Sequence, residues 1–532
     1  MAAAGESTTD RREAIAGHRK SVSDAGDKNA LLDAIGKLLD VSAPVGSPST
    51  LDGIAKTYKS QADDAGDVQT RVEAVARSGL PSVWVGSTGA KAAEVVAAAG
   101  RSAEQMEEAF RKASKALYDL SDALTSAQST DESGRGQLRQ ARTLLGDEDG
   151  FFDDWVEKDA EEEERKRAQK IAVGGADELH AAAVKADDAA RTAARVLNKF
   201  ASEARAGQMR TDEISAADRL VLADIGQVGG PLEQNELLTA NDLERSGRYL
   251  EKMSPQEQAE FERMLADAGS PQERAYLVKA LAAGYSLDEV GEFRDKIHDK
   301  DPVWLQEHLS PITTGYGSKV DMGVNDQGAN VNTEFQKFEG KEWSQDGLTC
   351  VPSSVVTARA MVDPVYALEL TGGPTGQEND AEAFRERLTD EQLRLHEDGD
   401  GADKGWFDDT PAGMNDEGKT DIANNEISPH TGSEYEARQL DSADARRDVL
   451  PDVEKAVAEG KPVPIGVEGH DEDGNWVGHG MMIIGQEGDM LQVYNPWGRT
   501  TWVSEDDFVN GNMQKASDND LPDTYSVHLP AA

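Results

Sequence analysis

Cys350 is the one cysteine in 532 residues, and its neighbours are of the kinds that activate a thiol. It closes the run Gln345-Asp-Gly-Leu-Thr-Cys350 and opens an apolar, helix-compatible stretch from Val351 to Met361. Far downstream, Gly478-His479-Gly480 opens one strand pattern and Tyr494-Asn495-Pro496-Trp497-Gly498 closes another. A lone cysteine makes no intramolecular disulfide, and without a second thiol there is no cysteine-rich metal site. A thiolate at a helix N-terminus is stabilised by the helix dipole, and a neighbouring imidazolium lowers its pKa further. In that chemistry His479 is general base toward Cys350, then general acid to the leaving group. Asn495 accepts the other imidazole N–H and fixes the tautomer. Gln345 offers its side-chain amide to the oxyanion beside the Cys350 backbone N–H. Each residue alone fits an inert role, such as a packed core cysteine; the ordered set points to catalysis.

To bring these groups together, the chain needs a helix carrying the cysteine laid against a sheet carrying the histidine and asparagine. After Pro311 glycine becomes more frequent and the helical period is lost. Residues 313–336 read as a flexible linker and 337–532 as the domain that carries the chemistry. Strand-like runs cluster at Val463-Pro-Ile465-Gly-Val467, Met481 to Ile484, Leu491 to Tyr494 and Thr500 to Val503. Separated by Gly and Asp turns, they predict a small antiparallel sheet or half-barrel. The short interval from His479 to Asn495 suits two adjacent antiparallel strands with both side chains at one end. Residues 372–438 carry few signals, and the cleft walls fall there, so substrate preference is not legible.

The order Gln345, Cys350, His479, then Asn495-Pro-Trp-Gly498 resembles the papain-like cysteine peptidases. Within them it is most similar to the bacteriocin-leader (double-glycine) peptidases and the staphopains. The resemblance spans about residues 337 to 529. Its most specific element is the Asn-Pro-Trp-Gly tetrapeptide, whose Trp497 would shield the His–Asn bond as in that clan. It implies a papain-like α+β domain and a thioester intermediate resolved by water. The sequence departs from the family pattern at Val351, where Gly, Trp or Ala is common, and Gln345 sits slightly closer than usual. Both departures bear on the oxyanion assignment more than on the triad. Related thiol folds also perform deamidation, acyl transfer and cell-wall amide cleavage, so the bond and the acceptor stay open.

The N-terminal part is helical. Residues 1–47 read as a flexible segment with helix. From Leu51, apolar or small residues recur at Ile54, Tyr58, Ala62, Ala65, Val68, Val72 and Val75. Turn chemistry follows around Trp84, and a second series runs Val96, Ala99, Ala103, Met106, Phe110, Ala113, Leu117, Leu120 and Leu124. Its alternating steps of three and four are a heptad seam. Residues 48–147 are therefore expected to form an antiparallel helical hairpin, whose sparse first helix leaves room for a helical partner chain. A helix, a loop with Trp84-x-Gly86 and a second helix with Tyr118-Asp-Leu-Ser-Asp122 resemble the WXG-type proteins exported by type VII secretion systems. That resemblance, over roughly residues 48 to 126, implies that Trp84, Gly86, Tyr118 and Asp122 form an export signal read by secretion machinery. Residues 148–230 read as a helical extension, with a break expected at Gly174-Gly175.

Ser254-Pro-Gln-Glu257, Ser270-Pro-Gln-Glu273 and Ser286-Leu-Asp-Glu289 are three capping-box patterns at equal spacing. In the first two, Pro falls at the first helical position, where its missing N–H costs nothing. With a helix before them (Leu243, Tyr249) and one behind (Trp304, Leu309), residues 231–312 are expected to be a small all-helical spacer domain.

The formal charge of −46 argues against nucleic-acid binding, which needs clustered Lys and Arg, and against docking on anionic lipid. No run of 18 or more apolar residues is present, so no membrane insertion is expected. The first twenty residues have no apolar h-region, so a classical signal peptide is not expected. No cofactor or metal is expected either. Asp398-Gly-Asp400-Gly-Ala-Asp403 and Asp471-Glu-Asp473-Gly do not complete an EF-hand loop, and His396, His430 and His470 read as solvated. The fold class is thus multidomain: helical hairpin or bundle, small helical domain, then a papain-like α+β domain. The function expected is a secreted, toxin-like effector with a C-terminal cysteine peptidase acting on a protein or peptide. Two alternatives remain: a non-enzymatic helical scaffold with a peptidase-like domain, or a cytoplasmic processing peptidase.

Overall fold

The computed structural model describes residues 8–83, 87–146, 159–207, 237–312, 333–335, 337–338, 341–372, 376–399, 414–470, 474, 476–517 and 521–531. Trp84 and Gly86 lie outside the described residues. The early helices are α1 (Thr8–Asp24), α2 (Lys28–Asp40), α3 (Pro48–Ala74), α4 (Leu80–Val83), α5 (Ser87–Leu145) and α6 (Asp159–Gly207). The chain divides into two compact units, and these helices are shared between them.

The first unit takes in Met1–Gln61 and Phe110–Leu197. Here α3 and α5 run antiparallel: Ser114 and Ser121 Oγ donate to the carbonyls of Ala55 and Pro48, and the Tyr58 and Phe110 rings meet at 5.9 Å. Small residues let the helices approach. Ala55, Ala113, Ala127, Ala182 and Ala186 are all buried. Of residues 1–47, expected as a flexible segment with helix, the described part is helical and packed. Within them, α1 and α2 bury Ile15, Leu31, Ile35 and Leu38 against Leu138, Ala172 and Leu179 of α5 and α6. Their last carbonyls, which no intrahelical N–H can satisfy, are taken by long side chains. Gln169 Nε2 donates to Val22, Ser23 and Ala25, and the Arg135 guanidinium donates to Leu39 and Val41. The break expected at Gly174-Gly175 is absent, because α6 is continuous there. A Cβ on Gly175 would lie 2.7 Å from the Gly134 carbonyl of α5, so these glycines serve a close helix crossing instead.

The second unit holds Ala62–Ala109, Asn198–Lys319 and Thr333–Ala532. In its hairpin portion Gly66 faces Glu107, and Gly100 faces Glu73. The helices α7 (Ala240–Lys252), α8 (Pro255–Asp267), α9 (Pro271–Ala282), α10 (Leu287–Ile297) and α11 (Pro302–Leu309) follow. Ser254, Ser270 and Ser286 are N-caps, each accepting from the backbone N–H three residues on. The reciprocal bond forms at Glu257 and Glu289, whereas the Glu273 carboxylate takes the Gly269 N–H and the His298 imidazole. The helices share a core of Leu250, Phe261, Tyr276, Leu281, Phe293 and Leu305.

The remaining elements are β1 (Thr333–Phe335), β2 (Lys337–Phe338), β3 (Lys341–Glu342), α12 (Cys350–Val362), α13 (Pro364–Thr371), α14 (Ala381–Gly399), α15 (Asp416–Glu426), α16 (Ser428–Thr431) and β4 (Tyr435–Gln439). After them come α17 (Ala443–Ala458), β5 (Val463–His470), β6 (Trp476–Glu487), β7 (Met490–Asn495), β8 (Arg499–Ser504), α18 (Glu505–Asn510), α19 (Gln514–Ser517) and β9 (Asp523–Pro530). An antiparallel sheet of order β1-β8-β7-β6-β5-β9-β4 separates two cores. One holds Val355, Val356 and Phe384 with Met482 and Tyr494; the other holds Val453 and Phe508 with Met481, Ile483 and Val493. The alternation of Met481, Met482 and Ile483 between the cores follows from the two-residue period of a strand. Because β1 pairs with β8, part of the expected linker 313–336 belongs to the sheet.

The helices α7–α11 are not a detached spacer. Leu368 of α13 joins their core, and the Tyr285 hydroxyl donates to Asp363 at the end of α12. His430 is not solvated: its Nδ1 meets the Ala283 carbonyl at 2.9 Å, and Arg245 donates to Pro429. Among the described residues, no helix is long and apolar enough to cross a membrane.

Candidate active site

Cys350 is the first residue of α12, whose apolar face packs Val355 and Val356 into the core and so fixes the helix against β6. The approach is close. A Cβ on Gly480 would lie 2.6 Å from Val351 Cγ2 and 3.3 Å from the Val351 backbone nitrogen. The residue after the cysteine therefore touches the residue after His479. Ser354 Oγ donates to the Gly480 carbonyl (3.4 Å) one turn further along the helix.

On the sheet, β6 carries His479 and β7 ends in Asn495. Both are buried, and His479 Nε2 meets Asn495 Oδ1 at 3.1 Å. The surroundings determine which atom of the amide is which. Asn495 Nδ2 donates to the Ala516 carbonyl of α19 (2.8 Å), and the Trp497 backbone N–H donates to Oδ1 (3.1 Å). An acceptor oxygen thus faces the imidazole, so His479 carries its proton on Nε2 and keeps a lone pair on Nδ1. The Trp497 ring stacks on the imidazole, with centroids 4.9 Å apart, and the Arg499 guanidinium lies 5.3 Å from the Trp497 ring centre. Burial pushes the His479 pKa below the ordinary histidine value; the Asn495 bond opposes this, and the Arg499 charge reinforces it.

The loop before Cys350 is braced from α14. Gln392 is fully buried, and both ends of its amide are used. Its Oε1 accepts from the Asp346 N–H and Thr349 Oγ1, while Nε2 donates to the Ser344 carbonyl and Ser353 Oγ. Arg385, two turns earlier on the same helix, donates to the Ser344 and Gln345 carbonyls. The Gln345 backbone N–H donates to the Pro496 carbonyl (2.6 Å), joining this loop to the Asn-Pro-Trp-Gly turn.

The structure thus joins His479, Asn495 and Trp497 through direct contacts and brings the Cys350 helix against their strand. The Cys350 thiol has no hydrogen bond to a described residue, and the Gln345 Nε2 donates to the Gly347 carbonyl (2.7 Å). Tyr118 is half-buried and Asp122 exposed on α5. Gln392, Arg385, Ala516 and Arg499 were not among the sequence expectations. Only the seven-residue interval from Arg385 to Gln392, which puts both on one helix face, offered a signal. No group of three or more metal-ligating side chains occurs among the described residues. Compared with protein-family models, curated proteins and solved structures, the chain matches none.

Proposed function

We propose that the C-terminal domain is a papain-like thiol hydrolase, in the first instance a cysteine peptidase acting on a protein or peptide. The observation that carries this reading is the oriented Asn495 amide, which dictates the tautomer a general base needs. The other supports are Trp497 over the imidazole and the cysteine at a helix N-terminus packed on the next residue of the strand. In the reaction, Cys350 gives its proton to His479 Nδ1, and Sγ attacks the carbonyl carbon of the scissile bond. The oxyanion takes the Cys350 backbone N–H and, once its side chain turns from Gly347, the Gln345 amide. His479 returns the proton to the leaving amine. Water, deprotonated by His479, then attacks the thioester and releases the acid and the thiol.

A non-enzymatic scaffold is the second reading, favoured by the thiol without a hydrogen bond and by the Gln345 amide turned to its own loop. Active-site hydrogen bonds are often long before substrate binds, which keeps the first reading ahead. Labelling with limiting iodoacetamide from pH 4 to 9, read by intact mass, separates the two. Catalysis predicts rapid labelling well below the free-thiol pKa of about 8.5, slowed in His479→Ala. An ordinary thiol titration indifferent to His479 would give the case to the scaffold.

The α3–α5 hairpin, with Tyr118 and Asp122 on α5, supports a further part of the proposal: type VII-like export with a WXG-type helical partner. Export that persists in Trp84→Ala and Tyr118→Ala would favour a different route, and retention of the wild type inside cells would favour cytoplasmic processing.

A further inference from the structure

We infer that Trp476 and Glu468 form a specificity subsite for a basic side chain of the substrate; this rests on the hydrolase reading above. Trp476 begins β6, three residues before His479, and is 58% exposed, the most exposed tryptophan among the described residues. It is nonetheless held in place. A Cβ on Gly478 would lie 2.6 Å from its ring, so the indole lies over Gly478, on the strand face that Gly480 turns toward Val351. Its Nε1–H donates to Glu468 Oε2 (2.6 Å), and its ring meets the Tyr525 ring edge-on at 6.2 Å. Glu468 lies on β5 directly opposite Gly478, the residue before the candidate base.

Among the described residues, the charge around this platform is uncompensated at one point. Across β5 and β9, Glu468 sits opposite Asp523, an unfavourable like-charge pairing. Arg446 pairs with Asp523 (3.3 Å), and Lys419 is engaged by Asp416 (2.9 Å) and the Tyr525 hydroxyl. No cation pairs with Glu468 among the described residues. An exposed indole face beside an uncompensated carboxylate suits a guanidinium or ammonium, which gains a cation–π contact and a charge-assisted hydrogen bond together. The chain's formal charge of −46 would raise the local concentration of cationic peptides before docking.

The test uses full-length protein and peptidyl acyloxymethyl ketones that carry Arg, Leu or Glu at each of the three positions before the electrophile. Cys350 labelling rates are normalised to iodoacetamide. At one position, the Arg probe should react about tenfold faster than the Leu probe, in line with one such contact. Glu468→Gln should reduce that advantage to about twofold, whereas Trp476→Phe should retain most of it and Trp476→Ala little. The iodoacetamide rate and its dependence on His479 should not change in any of the three. A Leu probe equal to or faster than the Arg probe, or an Arg advantage untouched by Glu468→Gln, overturns the subsite while leaving the hydrolase standing. Iodoacetamide labelling that ignores His479 removes the hydrolase, and the subsite with it.

Discussion

The first unit and the sheet domain reach a packed interior by opposite means. In the first, alanines and glycines on long helices bring backbones together, with Ala55, Ala113, Ala127 and Ala182 buried and Gly175 pressed on Gly134. In the second, large side chains fill the space on both sides of the sheet: Trp343, Phe384, Tyr494 and Phe508 are fully buried. Small-residue contacts add little each, so such a unit depends on helix length and tolerates loss better than gain. A core of large residues is the reverse, because a deletion leaves a cavity its neighbours cannot collapse into.

The sharpest test of that contrast is Phe384→Ala. Its ring packs edge-on to Trp343 at 5.2 Å, and losing it should destabilise the second unit by about 3–5 kcal/mol in chemical denaturation. Buried charge comes next. His528 is buried and its pKa is lowered to about 4, first by burial and then by the Lys419 charge. Its Nδ1 lies 3.1 Å from Thr420 Oγ1, and the Thr420 hydroxyl proton goes to the Asp416 carbonyl, so the imidazole is neutral and donates. Between about pH 6.5 and 4 the unfolded chain holds more protons. Stability should thus be complete above about pH 6.5 and fall by about 3 kcal/mol as pH drops through 4, a slope that His528→Asn should flatten. Gly175→Val in the first unit should cost about 1–3 kcal/mol by overpacking against the Gly134 carbonyl. Ala172→Gly, which only removes a methyl, should cost about 1–2 kcal/mol. A neutral Gly175→Val would break the comparison. The smallest effect expected is Ser254→Ala, about 1 kcal/mol from one lost cap, read by the thermal midpoint.

What could be read in advance follows the same divide between local and non-local causes. The caps at Ser254, Ser270 and Ser286 were legible because each bond joins residues three apart. So were the runs that became β5 to β8, whose apolar residues lie next to one another in sequence. The edge strand β4 was not, since its Glu436, Ala437, Arg438 and Gln439 are exposed and give no apolar alternation. The helix α14 lay in the stretch that carried few signals, and its role depends on Gln392 meeting a loop more than forty residues away. At Gly174-Gly175 a local rule pointed to a break, and the crossing with α5 decided otherwise. The pairing of His479 with Asn495 was legible from the residues around them, but Ala516, which orients the amide, carries no side-chain signature at all.

Asp363 ends the cysteine helix, caps α13 and accepts the Tyr285 hydroxyl from between α9 and α10. These bonds tie α7–α11 to the end of the cysteine helix. On the proposed hydrolase reading, a peptidyl inhibitor bound at Cys350 should slow amide hydrogen exchange in α9, far along the sequence from Cys350, as well as in β6. The helices expected as a spacer would then act as a remote gauge of whether the candidate site is occupied.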